Sequence, residues 1–511
     1  MSERFYVTTP IYYPNDVPHI GHAYTTVAAD VAARYHRLKG DEVWFLTGTD
    51  EHGQKMLEAA EARGQGPQEY LDAMVPNWKA LWDRLDISYD DFIRTTEQRH
   101  KTPVQAFWQR LYDSGDVYLG SYEGLYCVSC EDFYRESELR EGNCPVHGRP
   151  VERVTEENYF FRLSKYAGWL LNDYYERKPV SVQPGNRLNE VRSFVDQGLQ
   201  DISISRTSFT WGVPIPWDTN HVFYVWIDAL LNYITALGFP DGERFGRFWP
   251  GVNLVGKDIL RFHAVTWPAM LHAAGIDPPQ LVFAHGHLLV GGEKMSKTKL
   301  TGIHPDQLLE TFGVDAYRYY FLREVAFGQD GNFSWESLVA RYNAELANGI
   351  GNLLSRVTAL IDANCGGEVP DPSAATGDAE RALRLVVERQ IELYEDALDA
   401  FAFHTGLEAV DAIVREVNGY LVETAPWKLA KQEGTEERVG AILYASAEVL
   451  RLLAVLLSPV IPQAAGKIWA SLGINTPLSE QRLPAAVRWG GLPVGARIAR
   501  GESLFPRIED A

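Results

Sequence analysis

The sequence predicts an α/β fold: a doubly wound parallel sheet, interrupted by an inserted domain and followed by an α-helical bundle. Three observations predict it. Short β-rich runs alternate with helical stretches over the first hundred residues, which is the pattern of βαβ units and a parallel sheet. The alternation breaks between about Ser114 and Trp217 and then resumes. From about Trp335 onward the long segments carry helical periodicity.

Arg4 to Thr9 is a β-rich run ended by Pro10, and helical character runs from near His19 to Leu38, closed by Gly40. Glu42 to Leu46 is a second apolar run, leading into Gly48-Thr-Asp-Glu-His-Gly53, and Asp91 to Thr95 is a third candidate strand. The interruption holds three of the four cysteines, a Gln183-Pro-Gly185 break and Thr210-Trp-Gly-Val-Pro-Ile-Pro-Trp217. It reads as one inserted domain. Asn253 to Gly256 and Leu281 to Ala284 return as strands. Arg341–Ile361, Ala379–Ala400, Phe403–Val422 and Glu436–Leu457 read as helices of a bundle, with Asn364 to Pro372 as a loop between the first two. Ligands of a doubly wound sheet sit at the carboxyl ends of its strands. The irregular loops at Thr9–Pro18 and Thr47–Gly53 fall there.

A chain of 511 residues suits three or four domains. The net charge of −20 argues against blanket attraction to DNA or to anionic membranes. It leaves room for a local basic face that binds RNA, because fields are local at physiological salt. The first ten residues read as a strand rather than an export signal, and the strongest apolar run, Leu452 to Ile461, is too short to span a bilayer. The expected compartment is the cytoplasm. Cysteines crowded together in such a chain suggest metal rather than disulfides. Cys127-Val-Ser-Cys130 and Cys144-Pro-Val-His147 form two knuckles whose four ligands suit one tetrahedral Zn²⁺. With all four places filled, the site is structural. The competing reading is a reduced thiol pair beside an unrelated histidine. Cys365, near Gly366-Gly367, is expected as a free thiol without function.

His19 and His22 share one face at the start of a helix. A helix N-terminus attracts phosphate, two imidazoles add donors, and Gly21 between them leaves room for a flat base. Far downstream, Lys294-Met-Ser-Lys297-Thr298 lies between Gly291-Gly292 and Gly302. Two lysines on a loop suit charge developing on a leaving pyrophosphate. Chance, half a metal site or a solvated basic turn are the plainer readings of each motif alone. Together they resemble the paired signatures of class I aminoacyl-tRNA synthetases.

Finer segments resemble the methionyl-tRNA synthetase family: Thr8-Thr-Pro-Ile-Tyr-Tyr-Pro-Asn15, Gly48-Thr-Asp-Glu-His-Gly53, Tyr224-Val-Trp-Ile-Asp-Ala229 and Gly256-Lys-Asp-Ile-Leu-Arg-Phe-His263. The likeness continues through Trp267-Pro-Ala-Met270 and the helical region. It implies activation of methionine with ATP and Mg²⁺, then transfer to tRNA(Met). It also implies a methionine pocket of Ile11, Tyr13, Trp226, Ala229, Leu230, Tyr233, Phe262 and His263, with Asp50 on the substrate ammonium. Aromatic walls suit a thioether, although ordinary core packing is the commoner fate of aromatics. Gly21 and Gly256 would line the ATP site, Asp258 would meet the ATP ribose, and His19, His22, Lys294 and Lys297 the phosphates. Asn352, Arg356 and Trp427 would read the anticodon, with a buried anchor as the competing role for Trp427.

The implied domains are 1–114 and 218–290 for the catalytic halves and 115–217 for a zinc-bearing connective insertion. Residues 291–334 form the lysine-loop region, and 335–511 an anticodon-binding bundle. One intact knuckle set implies one zinc, and the short remainder after the bundle implies a monomer. The competing identities are another class I synthetase, a catalytically silent tRNA-binding paralogue, or a small-molecule nucleotidyltransferase.

Overall fold

Six short strands lie side by side as one sheet. They are β1 (Arg4–Thr8), β2 (Glu42–Thr49), β3 (Asp91–Arg94), β4 (Val182–Gln183), β5 (Val252–Gly256) and β6 (Leu281–His285). Their spatial order is β3-β2-β1-β5-β6-β4. Strands β1 and β5, β5 and β6, β6 and β4, and β2 and β3 pair in parallel, with Val7 opposite Val252, Gly256 opposite His285 and Gly48 opposite Ile93. The order reverses between β1 and β5, so the ligand crevice of a doubly wound sheet falls at their carboxyl ends. The computed structural model describes residues 3–127, 132–134, 136, 139–145, 148–290, 293–294, 304–374 and 377–508.

The chain divides into two compact units, and the division falls within the helix Ile20–Lys39. One unit comprises Arg4–Ala29 and Val43–His285. Besides the parallel sheet it holds a four-stranded antiparallel sheet, in the order Asp132–Tyr134, Val117–Cys127, Glu152–Phe161 and Ile202–Ser203. A three-stranded sheet follows from Pro214–Ile215, Asp218–Phe223 and Ser205–Arg206. The segment 115–217, expected as a single insertion, therefore also lends β4 to the parallel sheet. Two residues ending at Pro184 are too few to register as a periodic run. Gly48 marks a close approach: a Cβ there would stand 2.1 Å from the Ile93 carbonyl oxygen. Only glycine lets β2 lie so near β3.

The other unit comprises Met1–Glu3, Asp30–Glu42 and Gly286–Ala511. Its bundle runs Trp335–Arg341, a π-helical stretch Tyr342–Gly351, Asn352–Cys365, Asp378–Asp399, Phe403–Thr424, Glu436–Leu457 and Pro462–Ser471. Cys365 ends a helix rather than sitting in the expected loop. Gly366 caps that helix at φ +63°. The helix Pro462–Ser471 was not expected, and it and the short helix Pro426–Leu429 both open on the proline that favours a first helical position.

Glu436–Leu457 is long and apolar enough to cross a membrane by length and composition, yet its most apolar window is wholly buried. A helix surrounded on all sides is apolar all round. Its two buried charged residues satisfy each other: Arg451 binds both carboxylate oxygens of Glu448 at 2.7 and 2.8 Å. Glu448 also accepts the backbone N–H groups of Gly490, Gly491 and Leu492.

A second buried pair anchors the Asp30–Lys39 turns. Arg318 and Asp30 are both fully buried and meet at 2.6 Å. Arg318 also donates to the carbonyls of Val460 and Pro459, and Asp30 accepts Arg34 at 2.7 Å. Removing one member of a fully buried pair leaves an uncompensated charge. Arg318→Met is expected to destabilise the protein by about 3–5 kcal/mol, read as a lower midpoint in chemical denaturation.

Candidate active site

The start of the helix Ile20–Lys39 is built around its two histidines. Their rings stack with centroids 3.7 Å apart. The Gly21 N–H donates to His19 Nδ1 at 3.1 Å, and the His19 N–H donates to His22 Nδ1 at 3.2 Å. With each Nδ1 accepting, the ring proton of a neutral imidazole resides on Nε2. Tyr12 and Trp78 wall the pair, lying 5.1 and 4.9 Å from the His22 ring. Thr25 and Thr26 donate back to the Gly21 and His22 carbonyls. His285, at the end of β6, holds the Thr25 hydroxyl at 2.7 Å. Sequence reading assigned His285 no role.

Asp50 follows β2 and is nearly inaccessible to solvent. Its N–H donates to the Tyr12 carbonyl at 2.9 Å. The residues after it are held from several directions. Glu51 is buried and accepts Thr49 at 2.7 Å, Arg94 at 2.7 Å and Thr96. The Glu51 N–H donates to Thr95, and Trp211 donates to the Glu51 carbonyl. Gly53, at φ +94°, donates to the Trp211 carbonyl.

The structure brings the expected pocket residues together. Trp226 stacks on Phe262 at 5.0 Å and 9°, and Tyr13 meets Trp226 edge-on at 6.2 Å. Ile11, Tyr13, Trp226 and Phe262 are part-buried against a core that includes Leu230 and Tyr233. Ala229 is buried beside them in the helix Val225–Ala229. Behind this wall the Tyr233 hydroxyl donates to His263 Nε2 at 2.7 Å, and His263 Nδ1 donates to the Ile259 carbonyl at 2.9 Å. The tautomer is thereby set. Burial disfavours the imidazolium, and although the Ile259 carbonyl pulls the other way, the His263 pKa falls to about 4. The Tyr233 carbonyl in turn accepts the Tyr6 hydroxyl, so the wall is tied to β1.

Gly256 ends β5 and Asp258 is exposed just after it. Lys294 is placed by its backbone alone. It sits in the short strand Glu293–Lys294, opposite Leu289, rather than in an open loop. Lys297 lies outside the described residues, as do Cys130 and His147. Cys127 and Cys144 are buried at the end of one strand and in a turn where Gly148 donates to the Cys144 carbonyl.

In the helical unit Arg356 lies over the Trp427 ring at 4.5 Å, while Asn352 is exposed one turn earlier. Trp427 is part-exposed, so it is not the fully buried anchor of the competing reading.

Asp228 was also missed. It is fully buried, and its two carboxylate oxygens take His52 Nδ1 at 2.6 Å and His100 Nε2 at 2.7 Å. Burial pushes its pKa up, but the two imidazoles outweigh burial and the value settles at about 2. The available signal was an aspartate inside the apolar run Tyr224–Ala229, a residue type seldom buried unless paired.

Comparison with known proteins bears on the whole chain. The family described as tRNA synthetases class I (M) matches residues 5–153 and 137–358. The anticodon binding domain of methionyl tRNA ligase matches residues 369–511. A methionine–tRNA ligase of Streptomyces coelicolor is 53% identical over all of this chain and 97% of its own length. One from Caldanaerobacter subterraneus is 49% identical over all of this chain and 80% of its own. Among solved structures, the Mycobacterium tuberculosis methionyl-tRNA synthetase in complex with methionyl-adenylate superposes with a TM-score of 0.94. It is 44% identical and covers 99% of this chain and all of that one.

The low pKa of His263 has a measurable consequence. The unfolded chain takes up a proton near pH 6.5 and the folded chain only near 4. Between those values the unfolded state binds more protons, so stability falls as pH falls. The full effect is about 3 kcal/mol. Wild type is expected to lose stability from pH 6.5 to 4 more steeply than His263→Asn, measured by urea denaturation at each pH.

Proposed function

The chain belongs to the methionyl-tRNA synthetases of class I, and from that membership we propose how its own residues divide the work of a two-step ligase. The enzyme activates L-methionine with ATP to methionyl-adenylate and pyrophosphate, then transfers methionine to the 3′-terminal ribose of tRNA(Met). In the first step a carboxylate oxygen of methionine attacks the α-phosphorus in line. The bond from that phosphorus to the oxygen bridging to the β-phosphate breaks, and pyrophosphate leaves. In the second step the ribose hydroxyl attacks the acyl carbon and AMP departs. No side chain is needed as a covalent nucleophile.

In our reading His19 and His22 donate from Nε2 to the triphosphate, aided by the backbone N–H groups of the helix start. Lys297, with Lys294, neutralises charge on the leaving pyrophosphate. Mg²⁺ bound with ATP shares that task. Asp50 takes the substrate ammonium in a charge-assisted bond. Ile11, Tyr13, Trp226, Ala229, Leu230, Phe262, Tyr233 and His263 take the side chain, and a neutral His263 suits a thioether better than a cation. Gly256 lines the ATP site and Asp258 meets the ATP ribose. The observation that carries the reading is the placement, within one compact unit, of Asp50 after β2 and the stacked histidines after β1. Neighbouring strand ends thus offer an ammonium acceptor beside phosphate donors.

The domain limits 1–114, 115–217, 218–290, 291–334 and 335–511 stand as our proposal for these tasks. The cytoplasm, where tRNA is charged, is the proposed compartment. Cys127, Cys130, Cys144 and His147 would hold one Zn²⁺, which when bound cross-links the turns of the connective region. One zinc per chain by metal analysis, and a lowered thermal transition after chelation, are the expected results. A metal-free protein of unchanged stability overturns the assignment.

The deciding test of specificity is methionine-dependent exchange of pyrophosphate into ATP. Absent exchange, or faster exchange with another amino acid, refutes it. Trp427→Ala is expected to raise the KM for tRNA while exchange stays near wild type, since base stacking contributes about 1–3 kcal/mol. Equal loss in both assays would make Trp427 structural instead.

A further inference from the structure

The buried carboxylate of Asp228 has no place in the chemistry above, yet it stands between two of its parts. Two residues before it is Trp226, and Ala229 and Leu230 follow it, so it is embedded in the side-chain wall of the proposed pocket. Its Oδ2 holds His52, which lies two residues after Asp50. Its Oδ1 holds His100 on the helix Gln98–Asp113, and His100 Nδ1 meets the Thr235 hydroxyl at 2.8 Å. Asp228, His52 and His100 are all essentially inaccessible to solvent. A carboxylate only accepts, so both imidazoles donate to it.

Resting on the proposed function, we infer that Asp228 is a positioning residue for substrate selection, fixing the distance between the ammonium site at Asp50 and the aromatic wall at Trp226. The backbone from Asp50 to Gly53 is otherwise fastened to Tyr12, Thr95 and Trp211. Among these described hydrogen bonds, the His52–Asp228 contact is the one that ties this loop to the helix bearing Trp226 and Ala229. That span is the length available to an amino-acid side chain. Apolar contacts alone discriminate one methylene only weakly, so a pocket that measures length depends on a rigid separation of its two ends.

Asparagine has nearly the volume of aspartate but one acceptor oxygen for two N–H donors. Asp228→Asn therefore surrenders one of the two bonds and loosens the span while preserving packing. His100→Gln leaves the His52–Asp228 bond in place and loosens only its far side. Exchange kinetics are measured for wild type and both variants with methionine, with ethionine (one methylene longer) and over a range of ATP.

Asp228→Asn is expected to raise the KM for methionine about tenfold, the scale of one lost charge-assisted hydrogen bond. Its kcat and its KM for ATP should stay near wild type, and its preference for methionine over ethionine should shrink several-fold. His100→Gln should shift the same parameters in the same direction by less. Wild-type kinetics in Asp228→Asn, a fall in kcat alone, or an equal rise in both KM values overturns the inference. If Asp228→Asn does not fold, as judged by thermal melting, His100→Gln decides by the same criteria. A wild-type enzyme without methionine-dependent exchange overturns the proposed function and this inference together.

Discussion

Two carboxylates withheld from water, those of Glu51 and Asp228, fix the geometry on which the rest of the site depends. An unpaired carboxylate in an apolar interior costs several kcal/mol, so each persists only where donors saturate it. Glu51 draws Arg94 and Thr96 from the region of β3, and Thr49 from β2 itself. Asp228 draws His52 from the loop after β2 and His100 from the helix Gln98–Asp113. The loop carrying Asp50 is thus bounded on both sides by contacts that cannot slip without exposing a charge. Apolar packing tolerates small sliding, whereas a saturated buried carboxylate does not.

The proposed phosphate end of the site follows a different logic. Two imidazoles stacked at 3.7 Å would repel if both were charged, and their Nδ1 atoms are engaged by backbone N–H groups. As neutral Nε2 donors they add hydrogen bonds without adding fixed charge to a helix start that is already positive. The positive charge in this scheme belongs to the lysines and to the Mg²⁺ bound with ATP, and it counts towards rate where it meets charge developing on the leaving pyrophosphate. Interactions that strengthen towards the transition state raise turnover, whereas equal attraction to the bound substrate does not.

Legibility in the sequence tracked the range of the interaction concerned. Long segments with a steady period were readable: the expected helix over Glu436–Leu457 matches to the residue, and Ala379–Ala400 and Phe403–Val422 differ by one or two residues at their ends. The strands ending in the two irregular loops were readable because proline and glycine punctuate them. The two-residue edge strand β4 was not readable, since no period is definable over two residues. The Asp228 clamp joins positions 128 and 176 apart in the chain, and nothing local to any of its members reports the others. His19 and His22 were singled out by their spacing at a helix start, and Asp50 through resemblance. The pocket wall came through resemblance, because aromatic residues at those spacings look the same in an ordinary core. The helix Glu436–Leu457 shows the converse difficulty. Its composition alone fits a membrane span, and only the surrounding bundle and the Glu448–Arg451 pair explain it as a core helix.

If Trp427 takes an unpaired base as proposed, the Arg356–Trp427 pair suggests how a part-exposed aromatic is oriented beforehand. An indole left in water would turn freely and lose that freedom on binding a base, which subtracts from affinity. A guanidinium resting on the ring at 4.5 Å restrains it beforehand. Such a contact at a part-exposed site is worth about 0.5–1 kcal/mol, less than the roughly 1–3 kcal/mol of stacking a base. An unpaired base can therefore displace the guanidinium from the ring face, and the freed arginine has five donors for that base's edge or its phosphate. In this scheme the resting contact and the RNA-bound contact exchange one partner for another on the same ring, and the cost of orienting the tryptophan is borne before tRNA arrives.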